Sequence, residues 1–97
     1  MATYVILSQF TDQGIRNVKE TQQRAARAAE MAKTFGCEMT SIYWTLGQYD
    51  IVLTLSAPDD ESLTAFGLAM GALGNVRTQT LRAYSKDEIG AVLAKLS

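Results

Sequence analysis

Tyr43, Thr45, Asp50 and Thr54 are the side chains whose types and spacing come nearest to a chemical site. An aspartate can accept hydrogen bonds from a ligand or carry a proton. A tyrosine hydroxyl can donate to a substrate oxygen. Further along, Arg77 and Arg82 can each grip a carboxylate through two parallel hydrogen bonds, and Ser41 and Thr80 add hydroxyls. Each residue also has a plainer use. Aspartate fixes turns by accepting backbone amides, a tyrosine at an interface keeps its hydroxyl wet, threonine suits strands, and an arginine can make a rim salt bridge. The set supports a polar binding surface with Tyr43, Thr45, Asp50, Thr54, Thr80 and Arg82 as ligand contacts. A catalytic role for any of them is left open.

Other chemistry is excluded more firmly. The chain has no histidine, which removes histidine acid–base catalysis, histidine-ligated haem and nearly every zinc site. Its one cysteine, Cys37, cannot form an internal disulfide and has only Glu38 beside it, so an activated thiolate is not expected. Asp59-Asp60-Glu61 reads as a helix start rather than a cation site. Gly67, Gly71 and Gly74 follow no strand in a phosphate-loop spacing and read as close helix packing plus a helix stop. No metal and no cofactor are expected.

The elements that must position these residues follow from periodicity. Residues 38–46 and 49–57 read as two strands joined at Gly47-Gln48, with Gly47 supplying the positive φ of a tight hairpin turn. That register sets Leu46 opposite Tyr49, Trp44 opposite Ile51, Ile42 opposite Leu53 and Thr40 opposite Leu55 on one apolar face. Thr45 opposite Asp50, Tyr43 opposite Val52, Ser41 opposite Thr54 and Met39 opposite Ser56 share the other, mixed face. Trp44 and Tyr49 are therefore expected in the core.

Residues 3–10 read as a strand, and its run Tyr4-Val5-Ile6-Leu7 implies that both faces are covered. Asn17-x-x-Glu20 offers a capping box for a helix from Val18 to about Phe35, with Thr11 a competing start and Gly36 the stop. Val18, Gln22, Ala25, Ala29 and Ala32 form its inner stripe, with Arg16, Glu20, Arg24, Arg27, Glu30 and Lys33 mostly outside. A second helix starts at Asp59 with Leu63, Phe66, Met70 and Leu73 as its core stripe. A strand at 76–84 follows, and Ser85-x-x-Glu88 caps a last helix to about 96 bearing Ile89, Val92, Leu93 and Leu96.

The order β-α-β-β-α-β plus a terminal helix is the ferredoxin-like split pattern. It predicts an α+β fold with one four-stranded antiparallel sheet and both long helices on one face. The opposite face is then bare in a single copy, and an apolar patch of that size is uncommon on a monomer. A second copy facing it across a two-fold axis, a dimeric α+β barrel, is the expected partner. Residues 1–97 are expected to make one domain. A net charge of −1 gives no basic field for nucleic acid or an anionic membrane. The apolar runs are too short to span a bilayer, the opening residues lack a basic leader, and a cytoplasmic location is expected.

The residues Gly47, Tyr49 and Asp50, with Ile42-Tyr43-Trp44-Thr45-Leu46 before them and Ala57-Pro58-Asp59-Asp60-Glu61 after, resemble the GYD domain family. So do Gln9-Phe10-Thr11-Asp12-Gln13-Gly14-Ile15-Arg16-Asn17 and Gly71 through Thr80. The resemblance covers nearly the whole chain and implies a dimeric α+β barrel; the family itself carries no characterised function. Gly47, Tyr49, Asp50, Gly74, Val76, Thr78 and Thr80 are also similar to the effector-binding domain of Lrp/AsnC-type regulators, which implies amino-acid binding at an oligomer interface.

Three functions follow as expectations. The first is a homo-oligomeric small-molecule-binding or regulatory module with a cavity between facing sheets, taking a small polar ligand. The second is a cofactor-independent enzyme of isomerase or monooxygenase type, with Tyr43 or Asp50 transferring the proton. The third is a structural or interaction protein whose sheets fill each other.

Overall fold

The computed structural model describes residues 1–96. Strand β1 (Ala2–Phe10) is followed by the short helix α1 (Asp12–Arg16), a 3₁₀ turn at Val18–Glu20 and helix α2 (Thr21–Thr34). Strands β2 (Glu38–Trp44) and β3 (Ile51–Ala57), helix α3 (Asp60–Ala72), strand β4 (Val76–Ala83) and helix α4 (Lys86–Leu93) complete the order, with a last 3₁₀ turn at Ala94–Leu96. The four strands form one antiparallel sheet in the order β2-β3-β1-β4. This is the expected ferredoxin-like arrangement.

Alternation along the strands sorts the two faces. Tyr4, Ile6 and Ser8 of β1 and Ile51, Leu53, Leu55 and Ala57 of β3 are buried beneath the helices. With Ala32, Leu63 and Phe66 they make the core. Their neighbours Val5, Leu7, Val52 and Thr54 look the other way and are only half-buried.

Helix α2 starts later than expected. Thr11 caps α1 by accepting from the Gly14 amide, whereas Asn17 makes no side-chain cap. Its side-chain amide instead donates to the Gln13 carbonyl. The competing start at Thr11 thus makes a short helix of its own, the helical run is broken at Asn17, and the helix expected from Val18 opens with a 3₁₀ turn before turning α-helical at Thr21. The break also rotates the inner stripe: Ala28 and Ala32 are buried, while Gln22 is exposed. Arg24, expected outside, lies one turn before Ala28 and turns inward.

The reason for the break is visible at Gly14. The α1 turn is clamped onto the turn before β4: the Thr11 amide donates to the Asn75 carbonyl at 3.1 Å, and the Gln13 side chain donates to Leu73 O and Asn75 Oδ1. A Cβ on Gly14 would sit 2.0 Å from the Asn75 carbonyl oxygen, so only glycine permits this approach.

The other glycines of α3 depart from expectation. A Cβ on Gly67 or Gly71 would meet nothing within 4 Å, so neither marks close packing. Gly74 does end the helix, at φ +85°. Gly67→Ala and Gly71→Ala are each expected to stabilise the fold by about 0.5–1 kcal/mol, because alanine loses less backbone entropy in a helix. Chemical denaturation checks this; a lower midpoint for either variant contradicts the open space seen beside it.

Helix α4 carries the expected capping box, with Ser85 and Glu88 bonding each other's backbone amides. The Ser85 amide holds the Glu88 carboxyl below its ordinary range. Ile89, Val92, Leu93 and Leu96 stay exposed on this arm. Among the described residues no helix is long and apolar enough to cross a membrane.

Candidate functional site

The hairpin pairs Trp44 with Ile51, Tyr43 with Val52 and Ile42 with Leu53, as expected, but the strands stop there. Residues 45–50 form a wider loop instead of a two-residue turn. Gly47 does take a positive φ, +107°. Leu46, expected on the apolar face, is fully exposed. Toward the other end, a bulge at Thr40 slips the register, so that Met39 pairs with Leu55 and Glu38 with Ser56. The slip puts the apolar Met39 against the core and leaves Glu38 in water, which is the pattern burial favours.

Asp50 ties this loop to β1. Its carboxylate Oδ2 accepts the Phe10 amide at 2.8 Å, and its own amide donates to the Ser8 carbonyl at 2.9 Å. Thr45 closes the loop from the other side: its amide donates to Asp50 O and its hydroxyl to Tyr49 O. Held this way, Tyr49 is released from the β3 register and crosses the sheet. Its hydroxyl donates to Gln79 Oε1 at 2.9 Å. Gln79 pairs with Leu7 and so stands on the helix-free face. Tyr49 therefore lies on the face opposite to the one expected. Trp44 is on the expected helix side but is 44% exposed; its indole N–H donates to Thr21 Oγ1, and it rims the core.

Tyr43 and Thr54 share the helix-free face. Tyr43 is 65% exposed. Thr54 Oγ1 lies 2.7 Å from Thr40 Oγ1 and 2.6 Å from Ser41 Oγ, so the bulge gathers three hydroxyls at one point. Register adds Val5 and Leu7 of β1, Val52 of β3, and Arg77, Gln79 and Leu81 of β4 to the same face. The result is an apolar centre bordered by hydroxyls, an amide and Arg77.

Thr80 and Arg82 are elsewhere. Thr80 pairs with Ile6 and Arg82 with Tyr4, both on the helix side. There they line a shallow depression beside α3 with Tyr4 and Asp60. The Arg82 guanidinium lies 5.6 Å from the Tyr4 ring centre and 4.4 Å from that of Tyr84. The six residues read from the sequence as one surface thus divide: Tyr43 and Thr54 on the open face, Thr45 and Asp50 in the loop's backbone bonds, Thr80 and Arg82 behind the sheet.

Behind the sheet, the Tyr4 hydroxyl donates to Asp60 Oδ1. That bond, then burial and the nearby carboxylate charge, push the Tyr4 phenol above its ordinary value. A raised folded value contributes fully to stability below the unfolded tyrosine value of about 10, and that contribution is lost as pH rises through the folded value. Tyr4→Phe is expected to flatten the alkaline fall in melting temperature relative to the unaltered chain; identical profiles contradict the bond. At the other end of the scale, the Ser62 amide holds the Asp59 carboxyl low. Its contribution is present above about 3.8 and lost on acidification through the lowered value.

Cys37 is buried, and burial pushes its thiol up, away from nucleophilic use. Among the described residues no cluster of three or more carboxylates or thiols could hold a metal ion. Arg24 is the functional candidate the sequence reading missed. Its spacing four residues before Ala28 and eight before Ala32 is the signal that places it on the inner stripe.

The GYD domain model matches residues 4–93. The glutamine synthetase and cystathionine beta-lyase binding protein of Thermus thermophilus is 31% identical over 94 residues, covering 96% of this chain and 99% of that one. Two crystal structures share the fold. MtbAldR superposes with a TM-score of 0.69 at 16% identity over 88% of this chain, which spans only 52% of MtbAldR. TTHA0845 from Thermus thermophilus superposes with a TM-score of 0.57 at 23% identity, over 88% of this chain and 95% of that one.

Proposed function

The chain belongs to the GYD domain family, and from that premise we propose that it is a homo-oligomeric regulatory module that acts by binding other molecules. The observation that carries this reading is the helix-free sheet face. Val5, Leu7, Val52, Tyr43 and Leu81 share it by register and stay half-buried or exposed. Strands of seven to nine residues, at about 3.3 Å per residue and about 4.8 Å between strands, span roughly 450 Å² in plan. Side-chain relief raises this toward the ~800 Å² per partner of a stable interface. A second copy, face to face, is the occupant we assign.

Two such faces enclose the hydroxyls of Ser41, Tyr43 and Thr54 and the Tyr49–Gln79 pair. That polar lining supports a chamber for a small polar ligand inside the assembly. The outward helical surfaces then meet a macromolecular partner. The relative from Thermus thermophilus is described as binding glutamine synthetase and cystathionine beta-lyase, which supports a metabolic enzyme as that partner here. The proton-transfer alternative finds its best residue, Asp50, already accepting the Phe10 amide.

The test is sedimentation of the purified chain with purified glutamine synthetase, alone and mixed. Co-migration at micromolar concentration is expected. Independent migration, repeated with cystathionine beta-lyase, contradicts the enzyme-binding role.

A further inference from the structure

Helices α2 and α3 do not close over the sheet along their whole length. Phe35 and Phe66 meet edge to face, with ring centres 6.5 Å apart. Away from that contact a cavity of about 310 Å³ opens between the helices and the sheet. Its walls are apolar: Ile6, Ala28, Met31, Leu53, Phe66 and Met70. Leu73, expected in the core stripe of α3, is left half-exposed and lines the same space. A volume of this order, with mostly apolar walls and few polar groups, matches a small-molecule site.

Arg24 is the more deeply set of two arginines at this cavity. One guanidinium nitrogen, Nη2, donates to the Gly14 carbonyl at 3.1 Å, and the group stacks 5.9 Å from the Phe10 ring centre. The other, Nη1, is buried with no hydrogen-bond partner. A buried unsatisfied donor on a cation is costly, and only a negatively charged acceptor matches it in both charge and bonding. Arg27 adds a second positive charge to the lining, and no aspartate or glutamate lines the cavity. A ligand ammonium group therefore finds no counter-charge there, which disfavours zwitterions.

We infer that this cavity binds a small monocarboxylate with an apolar tail, its carboxylate held by Arg24 Nη1 and its tail lying between Ala28, Met31, Phe66 and Met70. The site lies on the helix side of the sheet, so it is separate from the inter-sheet chamber and goes beyond the function proposed above.

The test uses octanoate, 1-octanol and leucine as probes in isothermal titrations of the intact chain. Octanoate is expected to bind, and leucine at least tenfold more weakly. Arg24→Gln is expected to weaken octanoate at least tenfold while leaving octanol unchanged. Arg24 also supports Gly14, so a variant that does not depend on it is needed. Gly67 stands between this cavity and the depression beside α3, with open space at its Cβ position, and Gly67→Leu is expected to narrow the cavity while favouring the helix. Loss of octanoate binding in folded Gly67→Leu is expected. Failure of octanoate to bind the unaltered chain, equal binding to Arg24→Gln, or full binding to Gly67→Leu would each overturn the assignment. Octanoate binding is expected to survive in a Val52→Glu monomer, so failure of the oligomer reading and failure of this site are distinguishable.

Discussion

Val52→Glu is expected to convert the proposed oligomer into single chains of 10.6 kDa. Val52 sits in the middle of β3, paired with Leu7 on one side and Tyr43 on the other. All three stand on the helix-free face. In the proposed assembly the new carboxylate would be buried against the apolar centre of the sheet, two residues along and two strands away from Arg77, the arginine of that face. An uncompensated buried charge costs about 3–5 kcal/mol, and the two-fold arrangement imposes it twice. Each 1.4 kcal/mol is about a factor of ten, so the dissociation constant is expected to rise by well over a hundredfold. Val52 is only half-buried in one chain, so the monomer should keep its fold, with unchanged far-ultraviolet circular dichroism. A folded variant that still sediments as an oligomer places the interface elsewhere.

Gly14→Ala is expected to destabilise the chain by about 3 kcal/mol, the upper part of the usual cost of overpacking. The clash is with backbone, the Asn75 carbonyl at 2.0 Å, so no side chain can rotate away. Relief requires α1 to lift from the 74–75 turn, which also breaks the Thr11 and Gln13 bonds to that turn. For a chain of this size about 3 kcal/mol corresponds to a fall in melting temperature of roughly 12–24 °C. Gly67→Ala, in open space, is the matched control and should move the other way. A small shift for both would mean that the α1 clamp is not tight.

Much of the fold was legible because the signals agreed at several levels. The alternation in β3, the Ser85–Glu88 box and the Asp59 helix start each found their structural counterpart. The misses share a cause: a local pattern competed with a tertiary contact. Asn17-x-x-Glu20 has the form of a capping box, but the Gly14–Asn75 approach requires the chain to turn there. Gly47-Gln48 has the form of a tight hairpin, but Asp50 is drawn to the Phe10 amide, which widens the loop and sends Tyr49 across the sheet. A single bulge at Thr40 then exchanges Met39 and Thr40 between faces. The candidate site suffered most, because face assignment depends on registers that no local signal sets. Thr80 and Arg82 alternate correctly along β4, but only its pairing with β1 tells which side each occupies. Arg24 reads as one more surface cation until the helix phase is known.

Native mass spectrometry of the unaltered chain probes the open-face pairing without any substitution. A mass of twice 10.6 kDa, or a higher even multiple, is expected at micromolar concentration. A single-chain mass under the same gentle conditions would contradict the facing sheets and the chamber built between them.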